Sequence, residues 1–284
     1  MRLSLFVILA FSVTSSLAQI ELPNKIKFAE HLVNQEYFED AIYYIESITK
    51  NKESLFYNDT LNYLKGWSYY SLKELDKSAQ SLLHVPFGSA YFYKSRFFAA
   101  YNKSHLGIIP TSNYLLFNLL ESEKYEGLKT FQLAGNALLE RDLNKFDGYY
   151  FMLQGNGFAY SQEKLKLFDC ANEIKKYHKK SSLAAGILSA IVPGSGKIYA
   201  GKTGEGIASF IIVGAAGLTA LENYNKLGAK HAKTILFSSL FSVLYIGNIY
   251  GSVFTVKLVN EEFNHAMDHK ILFNMHIPLR NIFN

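Results

Sequence analysis

Between Glu21 and about Lys180, apolar residues recur at three- and four-residue spacing, the period that lays one stripe along a helix facing a core. A longer period lies over it. Ala29, Gly66 and Ala100 recur at intervals of thirty-seven and then thirty-four positions, and each is followed twelve positions on by a small residue, Ala41, Ser78 and Ser112. Ile45, Leu82 and Leu116 come sixteen positions on, and Leu72 and Leu106 come six on in the second and third copies. A repeat of this length is one helical unit copied along the chain. A fourth, less regular copy is expected from Lys124 to Leu153 around Gly135 or Ala137, followed by a helix from Gln162 to Lys180 with Leu165, Phe168, Ala171 and Ile174 on one face.

After Lys180 the pattern changes. Ser181–Gly196, Gly206–Leu221 and Thr234–Val256 are runs without a single charge, the last of them the longest. A bilayer core of about 30 Å takes roughly 20 helical residues, so the last run spans it and the middle one spans with help at its ends. Pro193 and the glycines beside it make the first run a short or re-entrant helix. Within the last run, Gly247-x-x-x-Gly251 has the small-residue spacing that lets helix backbones meet, with Gly214, Gly217 and Ala220 as a facing surface and Asn248 as an interhelical hydrogen bonder. The fold expected is all-α throughout.

The segment Tyr63-Leu64-Lys65-Gly66-Trp67-Ser68-Tyr69, with Leu72, Ser78, Leu82, Val85 and Pro86, resembles a tetratricopeptide repeat. The resemblance implies helical hairpins, with small residues where the two arms touch, stacked into a solenoid over residues 19–160. In such a solenoid the first helices line a concave groove. Tyr63, Trp67 and Tyr70 would face it and bind a protein or peptide partner. The plainer reading of the tyrosine pairs Tyr43-Tyr44, Tyr69-Tyr70 and Tyr149-Tyr150 is one ring in the packing seam and one at its edge.

Residues 181–260 carry a second resemblance. Pro193-Gly194-Ser195-Gly196-Lys197-Ile198-Tyr199-Ala200-Gly201, then Gly204, Gly206 and Tyr245-Ile246-Gly247-Asn248-Ile249-Tyr250-Gly251, resemble a membrane module of bacterial proteins with the pattern P-G-x-G-x-x-Y-x-G. In Bacteroidota envelope proteins this module is paired with a signal peptide and tetratricopeptide-like repeats, and a wider two-span transmembrane family has a similar turn. The resemblance implies a transmembrane hairpin of two or three helices and says nothing of activity.

The N-terminus fits that pairing. Arg2, an apolar run from Leu3 to Val13 and Ser16-Leu17-Ala18 make a secretory signal peptide over residues 1–18, cleaved after Ala18. A net charge of +5 matters less than its clustering in Lys175, Lys176, Lys179 and Lys180, expected to touch lipid headgroups from a basic linker helix over 161–180, with Lys197 and Lys202 beside the bilayer. The reading places the protein in a bacterial inner membrane, repeats in the periplasm. Lys226, Lys230 and Lys233 would then lie in a cytoplasmic loop, as positive-inside expects, while the 175–180 cluster would lie outside against that rule.

Gly196-Lys197-Ile198-Tyr199-Ala200-Gly201-Lys202-Thr203 fits the phosphate-loop pattern G-x-x-x-x-G-K-[ST]. No strand is expected before it and no Asp occurs between Asp169 and Asp268, so it is read as a chance match and no nucleotide is expected. A polar tail over 261–284 carries His265, Asp268, His269 and His276; His265 and His269 with Asp268 beside them, and Glu261 or Glu262, sit at metal-ligand spacing, but without a committed third ligand no metal and no cofactor is expected. Cys170 is the single cysteine and is read as a buried small hydrophobe, and His31, His84 and His105 as scattered surface residues. The function expected is a non-enzymatic, membrane-anchored scaffold that binds a protein or peptide partner, without nucleic acid and with self-association through the membrane module. The alternative is a module that itself acts as a small-solute channel or membrane enzyme, with Tyr199, Asn248, Tyr250 and Lys197 in a polar site.

Overall fold

A computed structural model describes residues 22–49, 58–120, 122–155 and 160–283, and the signal peptide expected at 1–18 lies outside them. The described residues form thirteen helices and no strand. Two compact units emerge, one of residues up to Ala171 together with those from Ile271 on, the other Asn172–Lys270.

The first unit begins with four helix pairs: α1 (Leu22–Asn34) with α2 (Phe38–Ile48), α3 (Asn58–Ser71) with α4 (Leu75–Leu83), α5 (Phe92–His105) with α6 (Ile109–Phe117), and α7 (Glu123–Leu139) with α8 (Leu143–Gly155). One turn joins the arms of every pair. Glu36, Lys73, Gly107 and Arg141, each one repeat beyond the last, are the left-handed residues at its centre. In each copy that residue's N–H bonds the carbonyl three back and the next N–H bonds the carbonyl five back from its own position, as in Tyr37 N to Leu32 O and Asp142 N to Ala137 O, both 2.9 Å. This double closure satisfies the orphan carbonyls of the first helix and folds the second back beside it.

The repeat register holds at the side chains. Ala29, Ala41, Ile45, Gly66, Ser78, Leu82, Ala100, Ser112 and Leu116 are all buried. A β-carbon on Gly66 would lie 2.7 Å from Leu82 Cγ, and Ser78 Oγ donates to Gly66 O at 2.8 Å, so the small residues are where the arms touch. Adjacent pairs are clipped by buried asparagines at equivalent places in successive repeats: Asn102 Nδ2 donates to Ser78 Oγ and Asn136 Nδ2 to Ser112 Oγ, each at 2.9 Å. Leu72 and Leu106, six past the small residue, lie in the turns, Leu72 half-buried and Leu106 exposed. In the fourth pair the small residue in register is Ala134, buried, rather than Gly135 or Ala137, and its partner twelve on is the large, buried Phe146.

Helix α9 (Ser161–Lys176) belongs to the first unit up to Ala171, so packing extends past the boundary expected at 160. Its buried face is Leu167, Cys170 and Ala171, while Leu165 and Phe168 are exposed. Cys170 is buried as read.

The second unit holds α10 (Ser182–Ile191), α11 (Ser195–Ala200), α12 (Thr203–Leu227) and the first three quarters of α13 (Ala232–Phe283). Ser181 Oγ caps α10 by accepting from Ala184 N at 3.2 Å. Two helices, α12 and α13, are long and apolar enough to cross a membrane. Their apolar side chains are largely unburied: Phe210, Ile211, Leu218, Leu236, Val243 and Phe254 are each more than half exposed. Large apolar residues exposed all along two helices suit a hydrocarbon environment, since a core helix would bury them.

The stretch expected as a polar tail over 261–284 is instead the end of α13. Ile271, Leu272, Met275 and Leu279 are buried in the first unit.

Candidate functional site: an aromatic groove holding a helix

The site grows out of the first helix of each pair. Trp67 on α3, Tyr101 on α5 and Gly135 on α7 hold the same place in successive repeats. Around them gather Tyr70 on α3, Phe97 and Phe98 on α5, Tyr125 and Gln132 on α7. Residues 271–283 of α13 lie against these side chains.

The groove grips that segment in two ways. It takes apolar side chains: the Met275 thioether lies where a β-carbon on Gly135 would be, with Met275 Cγ 2.5 Å from that position, so only glycine leaves room. The Phe283 ring lies 5.7 Å from Phe97, 6.5 Å from Phe98 and 5.4 Å from Tyr125, centroid to centroid. It also bonds the segment's backbone. Gln132 Nε2 donates to Met275 O at 2.8 Å and the Tyr101 hydroxyl to Leu272 O at 3.3 Å. Pro278 lies inside this helix and brings no N–H to the carbonyl of Asn274; helices open locally at such a residue, which turns nearby carbonyls toward outside donors.

His276 sits at the centre. Its ring stacks on Tyr101 at 5.2 Å and its Nε2 lies 2.5 Å from the Tyr70 hydroxyl. Burial holds the imidazole neutral, lowering its pKa to about 4, and Arg280, Lys73 and His105 push the same way. Burial also pushes the Tyr70 hydroxyl up to about 12, against Arg280, so Tyr70 keeps its proton. The contact is therefore a hydrogen bond between two neutral groups, its donor set by the imidazole tautomer.

Of the three residues singled out from the sequence, Tyr70 touches the segment directly. Trp67 backs it, its ring 5.3 Å from Tyr70 and 5.2 Å from Phe98. Tyr63 lies further along, stacked on Tyr91 at 4.1 Å, with Lys94 Nζ 5.4 Å above its ring and 4.4 Å above that of Trp67. Both cation and phenol are partly desolvated there, which lowers the Lys94 pKa and raises that of Tyr63. Tyr101 and Gln132 were not singled out, Gly135 was noted only as a small position of the fourth copy, and His276 only among the histidines of the tail. Adding one repeat to Trp67 finds the first, and two find Gly135.

In the second unit the glycine motif is a packing device. Gly194 has φ +85°, and a β-carbon on it would collide with Gly206 O; one on Gly196 would collide with Ala185 O and lie 2.6 Å from Ser189 Oγ; one on Gly206 would lie 2.7 Å from Gly194 O. Gly201, at φ +94°, ends α11. Asn248 joins the helices, accepting from Gly194 N at 2.9 Å and donating to Ser189 O at 3.2 Å. Ser189 Oγ in turn bonds Ser252 Oγ at 2.6 Å and accepts from Gly196 N at 2.9 Å. Tyr199 accepts from Ser181 N at 3.1 Å.

Other residues of that motif stand apart. Gly247 faces open space and Gly251 has only Lys197 nearby, so neither packs on Gly214 or Gly217; Gly217 meets Phe241 instead, and Tyr250 is exposed. An apolar groove of about 600 Å³ lies between Pro193, Phe210, Gly214, Gly217, Leu221 and Phe241.

Around the phosphate-loop match the amides are spent on the chain's own oxygens: Ile198 N bonds Gly194 O, Gly201 N bonds Ile198 O and Lys202 N bonds Lys197 O. A helix, α10, stands in front of it, where a phosphate loop has a strand. Among the basic residues, Lys175, Lys176 and Lys179 are exposed, whereas Lys180 Nζ donates to Ala200 O at 2.9 Å and Lys197 Nζ to Ser209 Oγ at 2.9 Å. No group of three His, Cys, Asp or Glu residues is placed to hold a metal among the described residues. Compared with protein-family models, curated proteins and solved structures, the chain has no match.

Proposed function

We propose that this chain is a non-enzymatic, membrane-anchored scaffold: residues 22–155 form a tetratricopeptide-like solenoid whose groove binds a helical segment of a protein partner, and α12 and α13 anchor it in a bacterial inner membrane with the solenoid in the periplasm. The observation that carries the binding reading is the grip on residues 271–283, apolar pockets plus side-chain donors to helix carbonyls, which is how a groove receives an amphipathic helix. The four like turns at Glu36, Lys73, Gly107 and Arg141 support the solenoid.

The membrane reading gains from a parity argument. Residues 271–283 fold with the repeats, so the chain between Ala171 and Ile271 crosses a bilayer an even number of times. Helices α12 and α13 supply two crossings, and α10, at ten residues or about 15 Å, is too short for a third. The loop with Lys226, Lys230 and Lys233 is then alone on the far side, the arrangement that positive-inside favours for a cytoplasmic loop. The polar groups of the membrane module, Asn248, Ser189 and Ser252, are bonded to one another and to backbone, which favours an anchor over a channel or enzyme.

The test is photocrosslinking in membranes of native cells, with the crosslinker at Lys94 at the groove's aromatic edge. A protein adduct that disappears when Gly135→Leu fills the groove, at equal membrane abundance, is the expected result. No adduct, or the same adducts in both, refutes partner binding in the groove.

A further inference from the structure

The groove does not await its ligand empty. Gly135 leaves the space that Met275 fills, Gln132 and Tyr101 spend their donors on Met275 O and Leu272 O, and the Tyr70 hydroxyl is hydrogen-bonded to His276. Every polar contact by which these three side chains hold a helix is already used within one chain. Accepting the groove as a helix receptor, as proposed above, we infer that residues 271–283 are its tethered resident ligand. An external partner is then a helix of the same chemistry, and it binds only where it displaces that segment.

The segment states what the chemistry is. Ile271, Met275, Leu279 and Phe283 fall at i, i+4, i+8 and i+12, one stripe of a helix, flanked by Leu272 and His276. Ile271, Leu272, Met275 and Leu279 are buried, and Phe273 and Arg280 point to solvent. The partner is accordingly an amphipathic helix with an unbranched apolar residue opposite Gly135, an aromatic residue two turns further on and a neutral hydrogen-bonding side chain opposite Tyr70. A cation at that last place is disfavoured by Lys73, which with His105 faces it from the repeats, while Arg280 leaves with the displaced segment.

Tethering sets the size of the effect. A segment held on the same chain competes at an effective concentration of the order of 1 mM, so against a free helix of about 10 μM intrinsic affinity it weakens binding about 100-fold.

The experiment uses the full-length protein in detergent or nanodiscs and, as the probe, a fluorescent synthetic peptide of residues 268–284. Wild type is expected to bind it about 100-fold more weakly than Met275→Asp/Leu279→Asp, which puts charges into the segment and leaves every groove residue in place. Leu279→Ala, a milder loosening that keeps the fold should the double change disturb it, is expected to fall between them. Adding Gly135→Leu to the released variant abolishes binding. If wild type and both released variants bind equally tightly, the groove is a helix receptor but is not occluded, and the inference is overturned. If neither released variant binds while helicity and the Trp67 emission remain native, the receptor reading fails as well.

Discussion

The contact between Gly135 and Met275 yields a test whose sign changes with background. Gly135 lies in the interior of α7, where alanine is worth about 1 kcal/mol over glycine by helix propensity alone. In the native chain the added β-carbon falls on the Met275 side chain, 2.5 Å from Cγ, and the thioether is fully buried with nowhere to retreat. Overpacking of this kind costs about 1–3 kcal/mol, so Gly135→Ala is expected to be neutral or to destabilise the first unit by up to about 2 kcal/mol net. Met275→Ala alone costs about 2–5 kcal/mol, and it removes the three atoms nearest the new β-carbon. In that background Gly135→Ala therefore stabilises by about 1 kcal/mol, and the cycle closes with a coupling of about 1–3 kcal/mol. The assay is urea or thermal unfolding followed by tryptophan emission. Trp67 is the single tryptophan and packs on Tyr70 and Phe98, so it reports this unit alone. Equal stabilisation by Gly135→Ala in both backgrounds would refute the seating of the segment.

Four further outcomes follow from the geometry. The folded pKa of His276 is lowered to about 4 from 6.5, so between those values the unfolded chain binds a proton that the folded one does not; the stabilisation is complete above pH 6.5 and lost as pH falls toward 4. The shift is worth at most about 3 kcal/mol, and partial solvent access reduces this to about 1–2 kcal/mol; the Trp67-monitored midpoint should fall across that window, and His276→Gln should flatten the fall. Glu36→Gly relieves a left-handed non-glycine residue and should stabilise by about 1 kcal/mol in the same melt, while Gly107→Ala, with no atom within 4 Å to clash, should lose a similar amount from backbone strain alone. Gly194→Ala and Gly196→Ala drive a β-carbon into backbone oxygen and should remove the protein from the membrane fraction on immunoblots, whereas Gly204→Ala and Gly214→Ala, which meet nothing, should leave its level unchanged. Cysteines at Glu39 and Asn281 should react with an impermeant maleimide from one side of the membrane and a cysteine at Lys230 from the other, native Cys170 being buried; labelling of Glu39→Cys and Asn281→Cys from opposite sides would break the parity argument, and of Asn281→Cys and Lys230→Cys from the same side the crossing by α13.

The parts of this fold written in local pattern were legible in the chain. Small residues at 29, 66 and 100 and their partners twelve on named the places where helices touch, because close backbone approach admits few side chains. The fourth copy slipped in register because its second small position is Phe146, so the spacing rule had nothing to hold, although Asn102 and Asn136 and the turn residues keep the period. Tyr70 was found at the groove because it lies in the best-matched repeat. The contact surface itself, Tyr101, Gln132 and Gly135, was not, since a single repeat was taken to represent the groove. What lay beyond sequence reasoning was the occupant. Residues 271–283 are mostly apolar but were merged with the charged residues before them into one polar tail, and only partners far earlier in the chain, Gln132 and Tyr70, show where Met275 and His276 pack.

The use of the final residues to fill the first unit imposes an order in time. Ribosomes deliver a chain at about 5–20 residues per second, and roughly a hundred residues separate Ala171 from the end of α13, so the repeats wait on the order of 5–20 s with the groove unfilled. In the topology proposed above, the membrane helices emerge during that interval and the chain returns to the side it left before Met275 and His276 dock. A newly made molecule thus passes through a vacant-groove state that the finished one hides. Any helper that recognises this protein during biogenesis meets a surface of Tyr70, Phe98 and Tyr101 that residues 271–283 afterwards cover.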